Sequence, residues 1–298
     1  VEVGVQTTYE RINREMHRGH GIQDSIDANR RLRDAAFKVG FHMMPGQPGM
    51  SKEMCLEDFR RLFEESEWRP DYLKIYPTLV VRGTATYDMW HRDEYDPLTN
   101  EEAAELVAEI KSMIPRYTRL QRVQRDIPAD FIDAGVWKSN LRQLARQRMA
   151  DHGWTCECIR CREVGMNDAE PETVELDTMT YEAVGGTEHF ISYEDFENDL
   201  LVGFCRLRFP GDPVRRELEN AALVRELHVY GDEVGVGQAG EDGHQHRGYG
   251  KRLLAEAERR AREAGYEKLS VISGIGVRQY YREKLGYYQD GPYVSKSL

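Results

Sequence analysis

The chain has 298 residues, of which 40% are hydrophobic and 31% are charged, and its formal net charge is −11. A chain of this length is expected to form two domains with buried cores. No apolar run approaches the roughly 18 residues of a membrane span and no signal-peptide pattern is present, so we expect a cytoplasmic protein without a membrane partner. Five cysteines, three of them bunched, exclude the disulfide framework of small secreted proteins, and the acidity argues against a generally basic nucleic-acid-binding protein.

The first hundred residues alternate strand-like and helical segments, which predicts part of a β/α barrel within an α/β protein. The predicted strands cover 1–7, 41–45 and 72–80, and the predicted helices cover 25–40 and 57–66. The barrel is predicted to end near residue 98, because Thr99 followed by Glu102 resembles a capping box that begins a new helix.

Side chains at the carboxyl ends of barrel strands face the active site of such a barrel. This rule nominates Gln6, His42 and Lys74, although packing in the core explains any one of them as well. Lys74 is the strongest candidate for a catalytic role, because an unpaired ammonium group beside an apolar run would be costly to bury. Arg82, after the same strand, is a second cationic candidate.

The segment 111–162 is basic in an otherwise acidic protein. It contains eleven Lys and Arg residues against five Asp and Glu residues, a local charge of +6 that leaves −17 for the rest of the chain. A cationic region of this kind attracts a polyanion to one place on the surface. A solvated helix face is the alternative explanation.

Three cysteines lie inside that basic segment, within a stretch of six residues. Cys156, Cys158 and Cys161 form a C-x-C-x2-C pattern, whose thiolates can converge on one zinc ion. His152, His91 or a distant carboxylate can supply the fourth ligand of a structural site. The alternative is three thiols in a loop, and catalytic zinc is disfavoured because three thiolates leave a poor electrophile.

The C-terminal part begins with two predicted strands, 199–210 and 222–231, and continues with an amphipathic helix after residue 250. Its apolar stripe consists of Leu253, Leu254, Ala257 and Ala261. Gly265 is expected to end this helix in the left-handed conformation. A short strand from residue 267, a helix that stops at Gly286 and one closing strand over 287–298 are predicted to follow.

The amphipathic helix is preceded by two glycines that its folding does not need. Gly248 and Gly250 carry no Cβ, so a ligand can approach the backbone closely. The first amide groups of a helix have no internal partner and lie at the positive end of its dipole. This combination predicts a site for a phosphate or pyrophosphate, while a glycine-rich loop without a ligand is the alternative.

The order of elements and the motif Gln245-His246-Arg247-Gly248-Tyr249-Gly250 resemble the GNAT acetyltransferases. The resemblance implies that this loop, with Lys251, binds the pyrophosphate of acetyl-CoA. It also implies that the strand containing Glu226, Leu227, His228 and Val229 offers backbone groups to the pantetheine arm.

Two side chains of this part are candidates for acid and base. The resemblance implies that Tyr281 reaches the thioester sulfur and acts as a general acid, whereas a core aromatic residue is the alternative. Glu226 is a candidate base, although a carboxylate at a strand end is more often solvated.

Motifs along the whole chain, among them RGHG, FHMMPGQPGM, DYLKIYPTLVVRGT, CREVG and SVISGIGVRQYYREKLGY, are similar to the catalytic subunits of Elongator. This family joins a radical-SAM barrel to an acetyltransferase-like domain and modifies C5 of the wobble uridine of tRNA. The resemblance implies acetyl-CoA, S-adenosylmethionine, a four-iron four-sulfur cluster and zinc as cofactors. It implies tRNA as a partner, with Elongator accessory subunits or a second copy of the chain as further candidates.

The chain departs from this family in one respect, because it has no three closely spaced cysteines near its start to hold the cluster. We therefore expect a fragment that lacks the cluster-binding half and the radical step. The expected domains are the C-terminal half of a barrel (1–98), a basic zinc-binding linker that contacts tRNA (99–165) and a GNAT-like domain (166–298). The alternative functions are N-acetylation of proteins or small amines and, more weakly, a tRNA-binding remnant without a cluster.

Overall fold

A computed structural model describes residues 1–125, 127–167, 169–230 and 248–298. The chain divides into two compact units. The N-terminal unit consists of Glu2–Ala28 and Val39–Ile159, and the C-terminal unit consists of Val1, Asn29–Lys38 and Arg160–Leu298. The short segment Asn29–Lys38 therefore groups with residues far downstream of it.

The N-terminal unit is built on a parallel four-stranded sheet in the order β1-β2-β3-β4. Its strands are β1 (Glu2–Gln6), β2 (Gly40–Met43), β3 (Tyr72–Ile75) and β4 (Arg119–Val123). The helices of this part of the chain are α1 (Glu10–Glu15), α2 (Ile22–Asp34), α3 (Lys52–Glu64), α4 (Ala85–His91), α5 (Asn100–Ser112) and α6 (Leu141–His152). The predicted alternation of strands and helices is confirmed. The fourth strand comes from the stretch that the sequence analysis assigned to the linker.

Local signals explain where two of these helices begin. The hydroxyl of Thr99 accepts a hydrogen bond from the backbone N–H of Glu102, whose carboxylate accepts one from the backbone N–H of Thr99 at 2.9 Å. This reciprocal pair is the predicted capping box, and it starts α5. Ser51 caps α3 in the same way by accepting from the N–H of Met54.

The C-terminal unit contains a seven-stranded sheet in the order β10-β11-β9-β8-β7-β6-β5. Its strands are β5 (Glu175–Ala183), β6 (Gly186–Asp195), β7 (Leu200–Phe209), β8 (Ala221–Val229), β9 (Lys268–Val271), β10 (Tyr288–Asp290) and β11 (Tyr293–Ser297). Only β8 and β9 run parallel, and the other neighbours are antiparallel. The prediction of a single closing strand is wrong, since Gly291, with φ of 60°, turns the chain between β10 and β11.

Three helices complete the described elements after residue 158, namely α7 (Ile159–Arg162), α8 (Tyr249–Glu263) and α9 (Arg278–Lys284). The predicted apolar stripe of α8 is confirmed, because all four of its residues are buried in one core cluster with Leu207 and Val224 of the sheet. Gly265 follows α8 with φ of 85° and Gly286 follows α9 with φ of 76°, the left-handed conformations expected after a helix. Among the described residues, every helix is too short or too polar to cross a membrane.

Candidate active site

In the C-terminal unit, β8 and β9 separate partway along β8. The two strands are paired from Ala221 to Val224, where Val224 is opposite Val271, and their register ends there. On its other side β8 continues to pair with β7 as far as Val229. We call Glu226–Val229, the part of β8 that β9 does not accompany, the open end of β8.

The N-terminus of α8 lies beside this open end. A Cβ placed on Gly250 would be 3.7 Å from Cγ2 of Val229, an ordinary packing distance. The residue that precedes the helix, Gly248, has φ of 73° and provides no side-chain cap. Because side chains other than glycine are strained at this φ, the sequence requires glycine here, and the helix presents its first amides and its dipole to a ligand.

The structure brings several predicted cofactor-binding residues together. Leu227 and Val229 pack against the core, His228 on the same strand is exposed, and Tyr249 is buried against the ring of Tyr193 at 4.7 Å. Lys251, in the first turn of α8, is exposed. The predicted ligands Gln245 and Arg247 lie outside the described residues.

Glu226 is ion-paired on both of its carboxylate oxygens. The Nζ of Lys38 lies 2.7 Å from Oε1, and the Nε of Arg206 donates to Oε2 at 3.0 Å. Burial raises the pKa of Glu226, but the charges of Arg206 and Lys38 outweigh it, so that the pKa lies below its ordinary value. Glu226 is therefore an oriented, ionised carboxylate, and the sequence analysis missed both of its partners.

Tyr281 of α9 is buried, with 7% of its surface exposed, and its ring meets that of Tyr287 edge to face at 5.4 Å. Burial is the main cause that raises the pKa of the Tyr281 hydroxyl above its ordinary value, and the neighbouring Cys205 adds to it. The hydroxyl therefore remains protonated at neutral pH, as a proton donor must. Tyr280, by contrast, is half-buried and touches Tyr281 only edge to face.

In the N-terminal unit, His42 and Lys74 occupy directly opposite positions on β2 and β3. Both contact Glu2 of β1, His42 through Nε2 at 2.7 Å and Lys74 through a short ion pair. The Lys74 interaction is the main cause that lowers the pKa of Glu2. Gln6, with φ of 69°, donates to the carbonyl oxygen of His42 at 3.4 Å. Two predicted residues thus pair with an acid that the sequence analysis missed, and the third, Gln6, contacts the backbone of His42.

Arg82, the other cationic candidate of this unit, is more exposed than Lys74. Its backbone N–H donates to Oδ2 of Asp133 at 3.0 Å, and its guanidinium lies 3.3 Å from Oδ1 of the same residue. The side chain is 78% exposed and also lies over the ring of Tyr87. Arg82 is therefore a surface residue that pairs with Asp133.

The three clustered cysteines converge, as their spacing predicts. The sulfur atoms of Cys156, Cys158 and Cys161 all lie within 4.8 Å of one another. Zinc binds thiolates at about 2.3 Å, so a slight closure brings all three sulfurs onto one ion. The two histidines considered as a fourth ligand lie outside this group, since Nε2 of His152 is 2.8 Å from Glu105 and His91 stacks on Tyr87.

The basic segment is only partly a surface feature. Lys111 and Arg162 are buried, and Arg162 pairs with Glu194 at 2.6 Å. Four arginines of the segment are exposed in the N-terminal unit, namely Arg122, Arg125, Arg146 and Arg148. The island of positive charge is thus smaller than its sequence composition suggests.

A cavity of about 550 Å³ lies beside the exposed cations, at the carboxyl end of β4. It is lined by residues 123–125, 127–129 and 137–140. Trp137 is 58% exposed, with the ammonium group of Lys138 5.9 Å from its ring, and the guanidinium of Arg125 lies over the ring of Tyr76. Aromatic rings beside cations suit a nucleotide, whose base can stack while its phosphate pairs.

Comparison with known proteins identifies both parts of the fold. Residues 70–151 match the Radical_SAM C-terminal domain and residues 157–287 match the Acetyltransferase (GNAT) family. The whole chain is 49% identical over 309 residues to a Methanocaldococcus jannaschii protein named tRNA uridine(34) acetyltransferase, covering 57% of that relative. It is 46% identical over 305 residues to Elongator complex protein 3 of Drosophila melanogaster, covering 55% of it.

A solved structure agrees along the full chain. The archaeal Elp3 of Methanocaldococcus infernus, with an N-terminal deletion, superposes with a TM-score of 0.94 at 46% identity over 100% of this chain and 72% of that one. The chain belongs to the Elongator complex protein 3 family. The predicted fold, part of a radical-SAM barrel with a GNAT acetyltransferase fold, is thereby confirmed.

The chain spans a little over half the length of these curated members of the Elongator complex protein 3 family. Cys55, in the N-terminal unit, does not suit the iron–sulfur cluster of a radical-SAM domain. Cys55 is the only cysteine before Cys156, and it is buried, with its sulfur accepting from the N–H of Gly46. Burial raises the pKa of Cys55 to about 11, which disfavours the thiolate that a metal requires. No radical step follows from the residues of this chain.

Proposed function

We propose that the protein serves the modification of C5 of the wobble uridine, uridine(34), in tRNA, with acetyl-CoA as the acyl source. In this proposal the C-terminal unit binds acetyl-CoA and cleaves its thioester when tRNA binds. The observation that carries the proposal is the open end of β8, which lies beside the uncapped N-terminus of α8 and within the same unit as the buried hydroxyl of Tyr281.

The proposed binding site for acetyl-CoA follows from this geometry. The pyrophosphate binds the first amides of α8, at Gly248, Tyr249, Gly250 and Lys251, where the helix dipole favours an anion. The pantetheine arm then follows Glu226–Val229, because β9 has left this part of β8. The exposed Lys251 adds a positive charge near the phosphates.

Acid and base can act on opposite sides of the thioester. The ionised Glu226 takes a proton from the attacking water, and the protonated hydroxyl of Tyr281 gives a proton to the departing sulfur. Cys205 interacts electrostatically with both Glu226 and Tyr281. It stays a neutral thiol because burial raises its pKa to about 12. It is therefore a poor nucleophile, and we assign it no covalent step.

We place tRNA contact on the N-terminal unit. The exposed arginines of the basic segment suit phosphates, and the cavity with Trp137 and Lys138 suits an unstacked base. Lys74, His42 and Gln6 are nominated for the wall of the barrel-type site around Glu2, with Lys74 as its candidate catalytic residue. In a cytoplasmic setting, accessory subunits of Elongator or a second copy of the chain are the further partners that family membership suggests.

We propose structural zinc at Cys156, Cys158 and Cys161. Bound there, the ion would tie the segment around α7 into one conformation. Replacing the buried Cys158 with Ser is expected to remove most of the zinc measured by elemental analysis of purified protein. Cys55→Ser is the matched control, since Cys55 is also buried but lies outside the group. Equal zinc content in both variants would refute this site.

The experiment that tests the proposed function measures release of CoA from acetyl-CoA with and without tRNA. We expect tRNA to stimulate release, because the cationic surface belongs to the tRNA-modifying function and not to simple amine acetylation. A histone peptide or a polyamine serves as the competing acceptor. Stimulation by either of them and not by tRNA would replace the proposal with N-acetylation of proteins or small amines.

A further inference from the structure

The path of β8 changes at a β-bulge. In the pairing with β7, Val224 is opposite Leu207 and Glu226 is opposite Arg206, so Arg225 is an extra residue on β8. Successive side chains of a regular strand point to opposite faces, whereas a bulge can turn two neighbours to the same side. The bulge therefore governs which face of the sheet Glu226 occupies at the start of the open end.

Both residues of the bulge meet the segment Asn29–Lys38. The guanidinium of Arg225 donates to the carbonyl oxygen of Phe37 at 2.9 Å, and Lys38 pairs with Glu226 at 2.7 Å. These contacts lie within the C-terminal unit, to which the segment belongs. A segment synthesised long before β8 thus supplies a cation to the proposed base.

The segment is fixed by a fully buried ionic cluster. The Glu188 carboxylate accepts from Arg33 at 3.1 Å, from Arg208 at 3.0 Å and from Arg225 at 2.8 Å. Arg208 also pairs with Asp34 at 2.7 Å, and the side chains of all five residues are at most 1% exposed. Because breaking such a network is costly, the backbone that leads to Lys38 is held in place.

Apolar contacts hold the same segment. Ala36 is buried in a cluster with Leu223 and Tyr293, and the Tyr293 hydroxyl donates to the carbonyl oxygen of Ala35 at 3.0 Å. Lys38, at the end of the segment, is in a different environment from these buried residues, since its side chain is 43% exposed. The carboxylate it meets, on Glu226, is 16% exposed.

The two cations on Glu226 are therefore unequal. Arg206 is 1% exposed, and its guanidinium lies 5.2 Å from the ring centroid of Phe190 and 5.2 Å from that of Phe204. Lys38 reaches the other oxygen from the solvent side. A half-exposed ion pair contributes little to stability, so a change at Lys38 leaves the fold intact while it alters the orientation and charge around Glu226.

We infer that Lys38 is a positioning residue for thioester cleavage, which fixes Glu226 so that it can take a proton from the attacking water at the open end of β8. The inference rests on the proposed cleavage of acetyl-CoA. In this step the water oxygen bonds to the acyl carbon and the carbon–sulfur bond breaks. One water proton goes to Glu226, the hydroxyl proton of Tyr281 goes to sulfur, and the Glu226 proton then returns through solvent to Tyr281.

The pH dependence of the reaction separates this role from a structural one. The charged groups that face Glu226 are Lys38 and Arg206, which both lower its pKa, and Cys205 is a neutral neighbour. Removal of Lys38 raises the pKa of Glu226. Because the base must be ionised, the acid limb of the rate profile then moves to higher pH.

The experiment measures kcat for CoA release by the full chain, with acetyl-CoA and saturating tRNA, over a range of pH. We expect Lys38→Met to lower kcat roughly ten- to a hundredfold, as misplacement of a catalytic group by about 1 Å does, and to move the acid limb upward. Lys38→Arg keeps the charge and is expected to restore most of the rate and the original limb. The matched control is Lys268→Met, which removes the lysine paired with Asp290 in the same unit. This control should leave kcat and the acid limb unchanged.

Two results would overturn the role of Lys38. One is a Lys38→Met variant with unchanged kcat and an unchanged acid limb. The other is a rise in CoA release without tRNA, which would mean that Lys38 restrains Glu226. If the unaltered chain itself releases no CoA with tRNA, the proposed function fails, and that result is distinct from both.

Discussion

Two glutamates of the seven-stranded sheet have opposite environments. Glu188 is 1% exposed and meets three buried arginines, whereas Glu226 meets one buried arginine and one half-exposed lysine. The first setting excludes water and fixes a segment of chain, and the second leaves an ionised carboxylate where β8 and β9 separate. The same residue type thus serves structure in the buried ionic cluster and is suited to chemistry at the open end of β8.

The largest expected effect comes from breaking the buried ionic cluster around Glu188. Glu188→Gln keeps the shape of the side chain but leaves Arg33, Arg208 and Arg225 without their shared counter-charge. We expect the free energy of unfolding to fall by about 3–5 kcal/mol, as when one partner of a buried ion pair is removed. Chemical denaturation followed by circular dichroism measures it. Glu182→Gln, at an exposed position of the neighbouring strand, should change little, and equal losses in both variants would contradict the comparison.

The next largest effect is on the rate of CoA release and comes from the proposed general acid, Tyr281. Tyr281→Phe retains the buried ring and removes only the hydroxyl, so the fold is kept. We expect kcat for CoA release to fall roughly 100-fold or more, the usual worth of a positioned general acid. Steady-state assays of CoA release test this. Tyr280→Phe is the control on the half-buried neighbour, and a similar loss there would point to packing of α9 and not to proton transfer.

The smallest effect is a pH dependence at the turn between β6 and β7. Asp195 accepts hydrogen bonds from the side chain of Asn198 and from the backbone N–H groups of Glu172, Asn198 and Thr173. These bonds, led by that of the Asn198 side chain, lower the pKa of Asp195 to about 2. A lowered pKa in the folded state stabilises the protein above the unfolded pKa of about 3.9, and this contribution is lost as pH falls toward about 2.

Asp195→Asn therefore should reduce stability at neutral pH and flatten its decline between about pH 4 and pH 2. Denaturation midpoints of the variant and the unaltered chain at several pH values measure the difference. Asp177→Asn, at an exposed position on β5, is the control. An unchanged pH dependence in Asp195→Asn would show that the turn after β6 does not depend on this carboxylate.

The elements that local patterns determine were predictable. The stripe of α8 and the capping box at Thr99 depend on residues three or four positions apart, and both are confirmed. The hairpin of β5 and β6 was not predicted, because charged and polar residues interrupt its alternation. The closing hairpin was predicted as one strand because the turn at Gly291 was not recognised.

The candidate site was predictable only where a motif covers it. Gly248 and Tyr281 were nominated from short motifs and stay predictions as site residues, whereas the partners of Glu226 come from elsewhere in the chain. Lys38 is 188 residues away, and nothing in its sequence neighbourhood distinguishes it from a surface lysine. Arg206 had a signal, since it alternates with Arg208 inside an apolar strand and buried arginines need partners.

The partners of Asn29–Lys38 are synthesised long after the segment itself, and this order has a consequence for folding during translation. Arg33 precedes Glu188 by 155 residues, so a ribosome adding about 5–20 residues per second releases the segment on the order of ten to thirty seconds before its carboxylate partner. Throughout that interval Arg33 and Asp34 lack their partners in the buried cluster, because Glu188 and Arg208 have not yet been synthesised. The C-terminal unit thus completes its interior only after β8 has been synthesised. Its folding therefore depends on a segment, Asn29–Lys38, that was made near the beginning of the chain.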